Sequence, residues 1–315
     1  MMVMTKKISV VIPCFNEEGN ICVIVEALHK VFKTTIYDYE LIFVDDGSTD
    51  KTIYNLRQLS KTNNKIFYVE LSRNFGKDSA LKAGLDIARG DAVITMDADM
   101  QHPPELILEL IKNWENGYEI VFAHRKGANP HASFFNKLYS GIFWYILTWL
   151  SEMPIENGIS DYRILDRKVV DVLKPMYEFE LFLRGMVKWI GYRQYGIEYV
   201  PNERLTGDTT YSNKALIKLA IHGITSFSVR PLYTAIYLGF VFSALALLYI
   251  PYILYSYYVH ASVPGWGSVI FTIVFFGGLN LIMLGVIGIY VGKIFMQTKN
   301  RPNYLIRKTN LNINS

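Results

Sequence analysis

Residues 90–105 read GDAVITMDADMQHPPE and join a short apolar run directly to a cluster of polar side chains. Ala92–Met96 has the length and composition of a buried strand. Asp97 and Asp99 follow it at positions i and i+2, and Gln101 continues the same spacing. Oxygen ligands of this kind suit Mg²⁺ or Mn²⁺, ions that proteins often share with substrate phosphates. The stretch therefore predicts a strand that ends in a divalent metal site; surface acids in a turn are the alternative.

Similar apolar runs recur on both sides of this strand, and amphipathic segments such as Ile21–Phe32 separate them. Strands that alternate with helices predict an α/β fold with a mostly parallel sheet that is covered on both faces. The predicted strands are Ile8–Ile12, Glu40–Val44, Ile66–Leu71, Ala92–Met96 and Glu119–Phe122.

Polar clusters follow three of these strands, at the edge where an α/β sheet binds its ligands. They occupy residues 13–18, 45–50 and 97–102. Helix capping by Ser48 or Asp50 explains one such cluster, but three are hard to explain in that way. The chain contains neither a P-loop sequence nor G-x-G-x-x-G, so the usual nucleotide fingerprints are excluded.

A second region has the composition of a membrane anchor, because no charged residue lies between Arg230 and Lys293. Two apolar segments, about 232–259 and 268–292, each exceed the ~20 residues that a helix needs to cross a bilayer. Lys and Arg follow the second segment and are absent from the turn, which predicts that both termini are cytoplasmic. A buried soluble hairpin is disfavoured, since soluble helices of this length usually show a charged face.

These patterns predict four parts. Residues 1–213 form a cytoplasmic α/β domain and 214–230 an interfacial amphipathic helix. Residues 231–293 form two transmembrane helices in the cell membrane, and 294–315 a basic cytoplasmic tail. The aromatic segment 138–151 is too short to span, so it forms either a core helix or one in the membrane interface.

Composition narrows the classes of partner. The net charge is only +4 and no concentrated basic face is evident, which argues against nucleic-acid binding. Cys14 and Cys22 lack the spacing of metal ligands and are expected to be reduced thiols.

Several long strings of the chain, in the same order, resemble glycosyltransferase family 2. Within it they are similar to the polyprenyl-phosphate branch, which includes dolichol-phosphate mannose synthases and bactoprenol glucosyltransferases. The resemblance covers almost the whole chain and implies a GT-A fold. It also implies an inverting, metal-dependent transfer of a sugar from a nucleotide-sugar to a polyprenyl phosphate, such as undecaprenyl phosphate, for surface glycans. The strings are VVIPCFNEEGNI, FVDDGSTDKT, LSRNFGKDSALKAGL, GDAVITMDADMQHPPE, SDYRILDRKVVD and RPNY.

The resemblance also implies roles for individual residues. Asp97 would contact both the ribose and the metal, and Asp99 and Gln101 would hold the metal. Asp161 would lie near the reacting centre as a general base or a positioning group, with a helix N-cap before residues 164–173 as the alternative. The nucleotide pocket would be lined by Pro13, Asn16, Glu17, Asp46 and Asp97, and phosphates would be bound by Arg125 and Arg204.

Two basic segments leave alternatives open. Residues 204–211 read RLTGDTTY and depart from the family pattern, because Thr210 replaces a lysine. Contacts to the acceptor phosphate are therefore expected from Arg204, Thr209 and Lys214. Arg73 and Lys77 form either a solvated basic turn or part of a loop over the diphosphate.

The donor follows from resemblance only: UDP-glucose is preferred over GDP-mannose, a UDP-N-acetylhexosamine or a UDP-aminopentose. A processive polysaccharide synthase is disfavoured, since the chain lacks Gln-x-x-Arg-Trp and further spans. A non-catalytic membrane scaffold or flippase component is the alternative from another class. Glycines in the second apolar segment would allow close helix packing in a homo-oligomer, either a dimer or a tetramer.

Overall fold

The computed structural model describes residues 6–125, 159–200, 225, 228–258 and 265–311. They belong to two compact units. The α/β unit combines the N-terminal part of the chain with the last residues, and the helical unit lies between them in sequence.

One eight-stranded sheet organises the α/β unit. Its spatial order is β7-β5-β6-β4-β1-β2-β3-β8. β6 runs antiparallel to β4 and β5, and β8 runs antiparallel to β3, while the other pairs are parallel. The strands are β1 (Lys7–Cys14), β2 (Asp38–Asp45), β3 (Ile66–Leu71), β4 (Ala92–Thr95), β5 (Ile120–Arg125), β6 (Ile159–Asp166), β7 (Gln194–Tyr199) and β8 (Ile306–Thr309).

Helices cover the sheet, and the described ones are α1 (Ile21–Phe32), α2 (Thr52–Thr62), α3 (Lys77–Ile87), α4 (Leu106–Glu115), α5 (Arg167–Leu173) and α6 (Leu183–Trp189). Consecutive residues of β1, from Val10 to Ile12, are fully buried, as expected for a strand with both faces covered. α3 lies close to β1 at Gly84, where an added Cβ would come within 2.2 Å of Val11 Cγ1. The absence of a side chain there lets α3 approach the centre of the sheet.

The predicted α/β class, the first five strands and α1 are confirmed, with small differences at the strand ends. The alternative of a helix over residues 164–173 is wrong, because β6 continues to Asp166. Asp166 is instead the N-cap of α5, and its side chain accepts a hydrogen bond from the Lys168 N–H. Asp161 therefore lies inside a strand and caps no helix.

The last residues do not form the separate basic tail that the sequence predicted. Residues 301–311 belong to the α/β unit, where β8 extends the sheet beside β3. The Tyr304 hydroxyl donates to Asp86 Oδ2 at 2.8 Å, and the Ser72 N–H donates to the Leu305 carbonyl at 2.9 Å. The chain thus returns to the α/β unit after the helical unit.

The helical unit contains α7 (Arg230–Tyr258) and α8 (Trp266–Thr298). Phe242 of α7 lies edge-on to Phe276 of α8, with ring centroids 5.4 Å apart. In the described part of the chain, one stretch, Ser268–Thr298, is long and apolar enough to cross a membrane, with a mean hydropathy of 2.4. The predicted segment 138–151 and most of 214–230 lie outside the described residues.

Candidate active site

The loops after β1 and β2 are tied together by side chains that the sequence assigned to a nucleotide pocket. Asn16 adopts a positive φ of 57°, its N–H donates to Ser48 Oγ at 2.9 Å, and its Oδ1 accepts from the Thr49 N–H at 2.9 Å. The Glu17 N–H donates to Thr52 Oγ1 at 2.8 Å. Pro13 lies one residue before the end of β1. These residues lie at the carboxyl edge of the sheet, as predicted.

Asp46 connects this pair of loops to a third loop, residues 72–76. Its two carboxylate oxygens accept from the Phe75 and Gly76 N–H groups at 2.7 and 2.9 Å. Burial raises the pKa of Asp46, while these two N–H bonds oppose that rise. Gly47 has a φ of 74°, and an added Cβ there would lie 2.7 Å from backbone atoms of Arg73 and Asn74. Asp46 followed by Gly47 is therefore needed for the third loop to pack against the end of β2.

Asp45 is a residue of this edge that the sequence analysis did not single out. Its side chain is buried, and its Oδ1 accepts no hydrogen bond from the described part of the chain. Burial raises its pKa, and hydrogen bonds from Ser48 counteract part of that shift. A buried carboxylate oxygen without a partner is costly, which is the kind of group that a ligand donor can satisfy.

The loop after β4 carries the paired aspartates. Met100 adopts a φ of 61°, which curls the loop so that the Gln101 N–H donates to Asp99 Oδ1 at 3.1 Å. The Asp97 N–H donates to His102 Nδ1 at 3.1 Å, so the His102 proton lies on Nε2. Burial lowers the pKa of His102, in keeping with this neutral form. His102 stacks on Tyr162 and thereby fixes the start of the loop.

The donor set of this loop fits a hard divalent cation. Asp97 and Asp99 supply carboxylates and Gln101 an amide oxygen, and the Asp97 side chain is partly exposed. Asp97 Oδ1 already receives a positive charge, the Lys77 ammonium, at 2.6 Å. Among the described residues no three His, Cys, Asp or Glu side chains group closely enough to hold an ion alone. An ion here would complete its shell with water and substrate oxygens, as Mg²⁺ commonly does.

Asp161 of β6 is surrounded by cations. Arg184 binds it bidentately, with Nε on Oδ1 and an Nη on Oδ2, both at 2.7 Å. Lys77 Nζ lies 2.9 Å from Oδ2, and an Arg163 Nη lies 3.5 Å from Oδ1. Burial by itself would raise the pKa of Asp161, but these three cations hold it well below its usual range. The carboxylate is therefore a poor proton acceptor in this state.

The structure thus brings the ends of β1, β2 and β4 to one edge of the sheet. Lys77 connects Asp161 to this edge, because it contacts both Asp161 and Asp97. Arg184 and His102 were missed: Arg184 lies on a short helix without a motif, and His102 was read only as part of its string. Arg125 is the last residue of β5, where its backbone pairs with Tyr199. The remaining predicted phosphate ligands, Arg204, Thr209 and Lys214, lie outside the described residues.

The chain is similar in sequence to known glycosyltransferases. The family model "Glycosyl transferase family 2" matches residues 9–173. The chain is 41% identical to the uncharacterized glycosyltransferase YkcC of Bacillus subtilis (strain 168), over 96% of this chain and 93% of that one. It is 36% identical to a prophage bactoprenol glucosyl transferase homolog of Escherichia coli (strain K12), over 96% and 99%.

Among solved structures, the chain is similar to glucosyl-3-phosphoglycerate synthase from Mycobacterium tuberculosis in complex with Mn²⁺, UDP and phosphoglyceric acid. The TM-score is 0.47 and the sequence identity 20%, over 70% of this chain and 76% of that one.

Proposed function

The chain belongs to glycosyltransferase family 2, and from that premise we propose that it transfers a hexose to the phosphate of a polyprenyl lipid at the cytoplasmic face of the membrane. The observation that carries this proposal is the 36% identity, over 96% of the chain, to a relative named as a bactoprenol glucosyl transferase homolog. That name favours glucose as the sugar, and UDP-glucose is accordingly the donor that we propose.

The paired aspartates support metal dependence. A divalent ion, Mg²⁺ or Mn²⁺, held by Asp97, Asp99 and Gln101, would offset the negative charge that develops on a nucleoside diphosphate leaving group. His102 positions Asp97 by accepting its backbone N–H. Asp45 and Asp46 lie at the end of β2, beside the end of β1, where Pro13, Asn16 and Glu17 complete a polar edge for the nucleotide.

The acceptor chemistry suits an inverting transfer. A phosphate monoester has a second pKa near ~6, so at neutral pH much of it is already a dianion. Its oxygen then needs to be placed opposite the leaving diphosphate more than it needs to lose a proton. An Asp161 that is ionised and a poor proton acceptor agrees with this requirement, since the transfer needs no strong base.

The apolar helices support a location at the membrane, where a polyprenyl phosphate resides. The Ser268–Thr298 stretch is apolar enough to span, and none of its most apolar window is buried. We propose that α7 and α8 form the membrane hairpin, with the α/β unit and both termini on the cytoplasmic side. The enzyme would then meet its lipid acceptor within the plane of the membrane.

The test is transfer of labelled sugar by the full chain purified in detergent. The protein is given undecaprenyl phosphate, Mg²⁺ or Mn²⁺, and a panel of UDP- and GDP-sugars. We expect label to enter the lipid phase from UDP-glucose and to fall at least 100-fold in Asp99→Asn. Asp171→Asn removes an exposed carboxylate on α5 and serves as the matched control with unchanged transfer. Absence of transfer from every donor would refute the proposal. Transfer from a donor other than UDP-glucose would identify that sugar, instead of glucose, as the one transferred.

A further inference from the structure

We infer that Arg184 and Lys77, fixed in place by Asp161, form a phosphate-binding subsite of the active site. The inference rests on the proposed function and deepens it. The ligand is a set of phosphate oxygens, supplied either by the acceptor phosphomonoester or by the donor diphosphate.

The first argument is the number of donors that remain. A guanidinium has five N–H donors, and Arg184 uses two of them on Asp161. An ammonium has three, and Lys77 uses two, one on Asp97 and one on Asp161. No other described group takes the remaining donors, which makes both cations available to an anion that enters the site.

The second argument is the difference in exposure within the cluster. The Asp161 side chain is 6% exposed, whereas the side chains of Arg184 and Lys77 are 41% and 42% exposed. The carboxylate lies beneath and the two cations lie above it. Both cations are therefore bound on one side by the buried carboxylate and exposed to solvent on the other. This arrangement orders their N–H donors before a ligand binds.

The third argument comes from Arg163, the cation that completes the cluster from the interior. Its side chain is 6% exposed, and its Nη donates to the Ser160 carbonyl at 3.0 Å. It balances the charge of Asp161 without reaching the surface. The other acids near the cluster are Asp97, which contacts Lys77 at 2.6 Å, and Asp78, whose charge acts on Arg184. With Arg163 in that structural role, Arg184 and Lys77 are the exposed cations of an ordered network.

The position of the cluster identifies the ligand. Lys77 links Asp161 to Asp97, so the subsite adjoins the paired aspartates where the donor diphosphate is proposed to lie. A phosphate that reaches this point would be next to the reacting bond. Arg is suited to bind it, because its planar fork matches two phosphate oxygens.

The test compares variants of the full chain in detergent. Arg184→Gln removes the charge, and Arg184→Lys keeps it but loses the planar fork. Arg193→Gln removes an exposed arginine that precedes β7, at the edge of the sheet opposite the site. Calorimetric titration measures the Kd for UDP and for a short polyprenyl phosphate separately. Transfer kinetics give KM for each substrate and kcat.

We expect Arg184→Gln to raise the Kd and KM of the polyprenyl phosphate at least tenfold, with UDP binding within twofold of wild type. Arg184→Lys should recover part of the loss, and Arg193→Gln should change neither. A tenfold loss of UDP binding alone would also support the subsite and would assign it to the donor diphosphate. Unchanged affinity for both ligands, with only a lower melting temperature, would overturn the inference.

The binding titrations need no turnover. If the wild-type protein transfers no sugar, the proposed reaction fails, while the effect of Arg184→Gln on phosphate binding still decides the inference.

Discussion

Asp161 keeps its negative charge in a largely buried position because three cations contact its two oxygens. Removing one partner of a buried ion pair leaves an uncompensated charge, which is far more costly than the net value of the pair. The cluster therefore has to be intact for the strand end to hold its shape. Its chemical consequence is that Asp161 stays ionised at neutral pH, because the cations hold its pKa well below the usual range.

This environment sets the expected pH dependence. A carboxyl whose folded pKa is depressed contributes stability above its unfolded pKa of ~3.9 and loses it as the pH falls through the folded pKa. Asp161 therefore does not change charge between pH 5 and 8. We expect the acid limb of kcat/KM to follow the second pKa of the acceptor phosphate, ~6. Replacing the acceptor with a phosphonate of higher pKa should move that limb upward.

One neighbour needs a control in that experiment. Burial, with Asp161 adding to it, raises the pKa of Asp78 to about 6. Asp78→Asn removes this titration, and we expect the limb to remain and still to shift with the acceptor. An acid limb of kcat/KM that does not shift with the acceptor and that disappears in Asp78→Asn would contradict the prediction.

At the residue scale the sequence identified the groups that lie beside strand ends. The acids after β1, β2 and β4 could be found because parallel strands place their carboxyl ends together. The partners of Asp161 could not, since Arg184 is 23 positions away on a helix of seven residues. Only the tertiary fold brings the guanidinium to the carboxylate, which lies near the start of β6.

At the scale of elements, the antiparallel strands β6 and β8 are those that hydrophobic periodicity does not predict. β6 contains buried Asp161 and Arg163, so its polar residues do not alternate with exposure as they would in a strand with one face in solvent. β8 is four residues long and carries Arg307 and Lys308. Short charged edge strands of this kind protect a sheet from pairing with other chains, and their sequences look like loops.

The RPNY string lies just before β8, and its side chains hold that segment in place. Asn303 Nδ2 donates to the Glu178 carbonyl at 2.5 Å, and Tyr304 donates to Asp86. Asp86 also accepts from Lys82 Nζ, whose side chain is fully buried. The Tyr304 bond anchors the segment that precedes β8 to α3, the helix that begins with Lys77, and the Asn303 bond anchors it to the loop between α5 and α6.

We therefore expect Tyr304→Phe to destabilise the α/β unit. Loss of the hydroxyl removes one hydrogen bond from a carboxylate, at a cost of about 1.5–3 kcal/mol. For a unit of this size the melting temperature in detergent should fall by roughly 3–12 °C. Tyr54→Phe, on the exposed face of α2, is the matched control and should leave the melting temperature unchanged. An equal effect of both substitutions would show that the Asp86 bond does not anchor the segment.

On the scale of the whole molecule, the chain leaves the α/β unit, forms two long apolar helices and returns to it. The apolar helices could be predicted without any tertiary contact, because length and hydropathy alone decide whether a segment suits a bilayer. The return of residues 301–311 to the sheet could not, since it depends on pairing with β3 across more than 200 positions of sequence.

The two native cysteines allow the proposed orientation to be tested. Cys22 is exposed and Cys14 is buried, so a membrane-impermeant maleimide should react with Cys22 alone. In sealed right-side-out vesicles we expect no labelling until the membrane is permeabilised, because the α/β unit is proposed to face the cytoplasm. Cys22→Ser is the control and should abolish the signal.

A second label tests the segment between α7 and α8. In the Cys22→Ser background, Ser262→Cys should react in sealed vesicles, because two spans place this segment on the side opposite the α/β unit. Labelling of Cys22 without permeabilisation, together with protection of the cysteine at position 262, would reverse the orientation. Reaction of both cysteines in sealed vesicles would mean that the helices do not cross the membrane, and the lipid acceptor would then have to be reached from the surface.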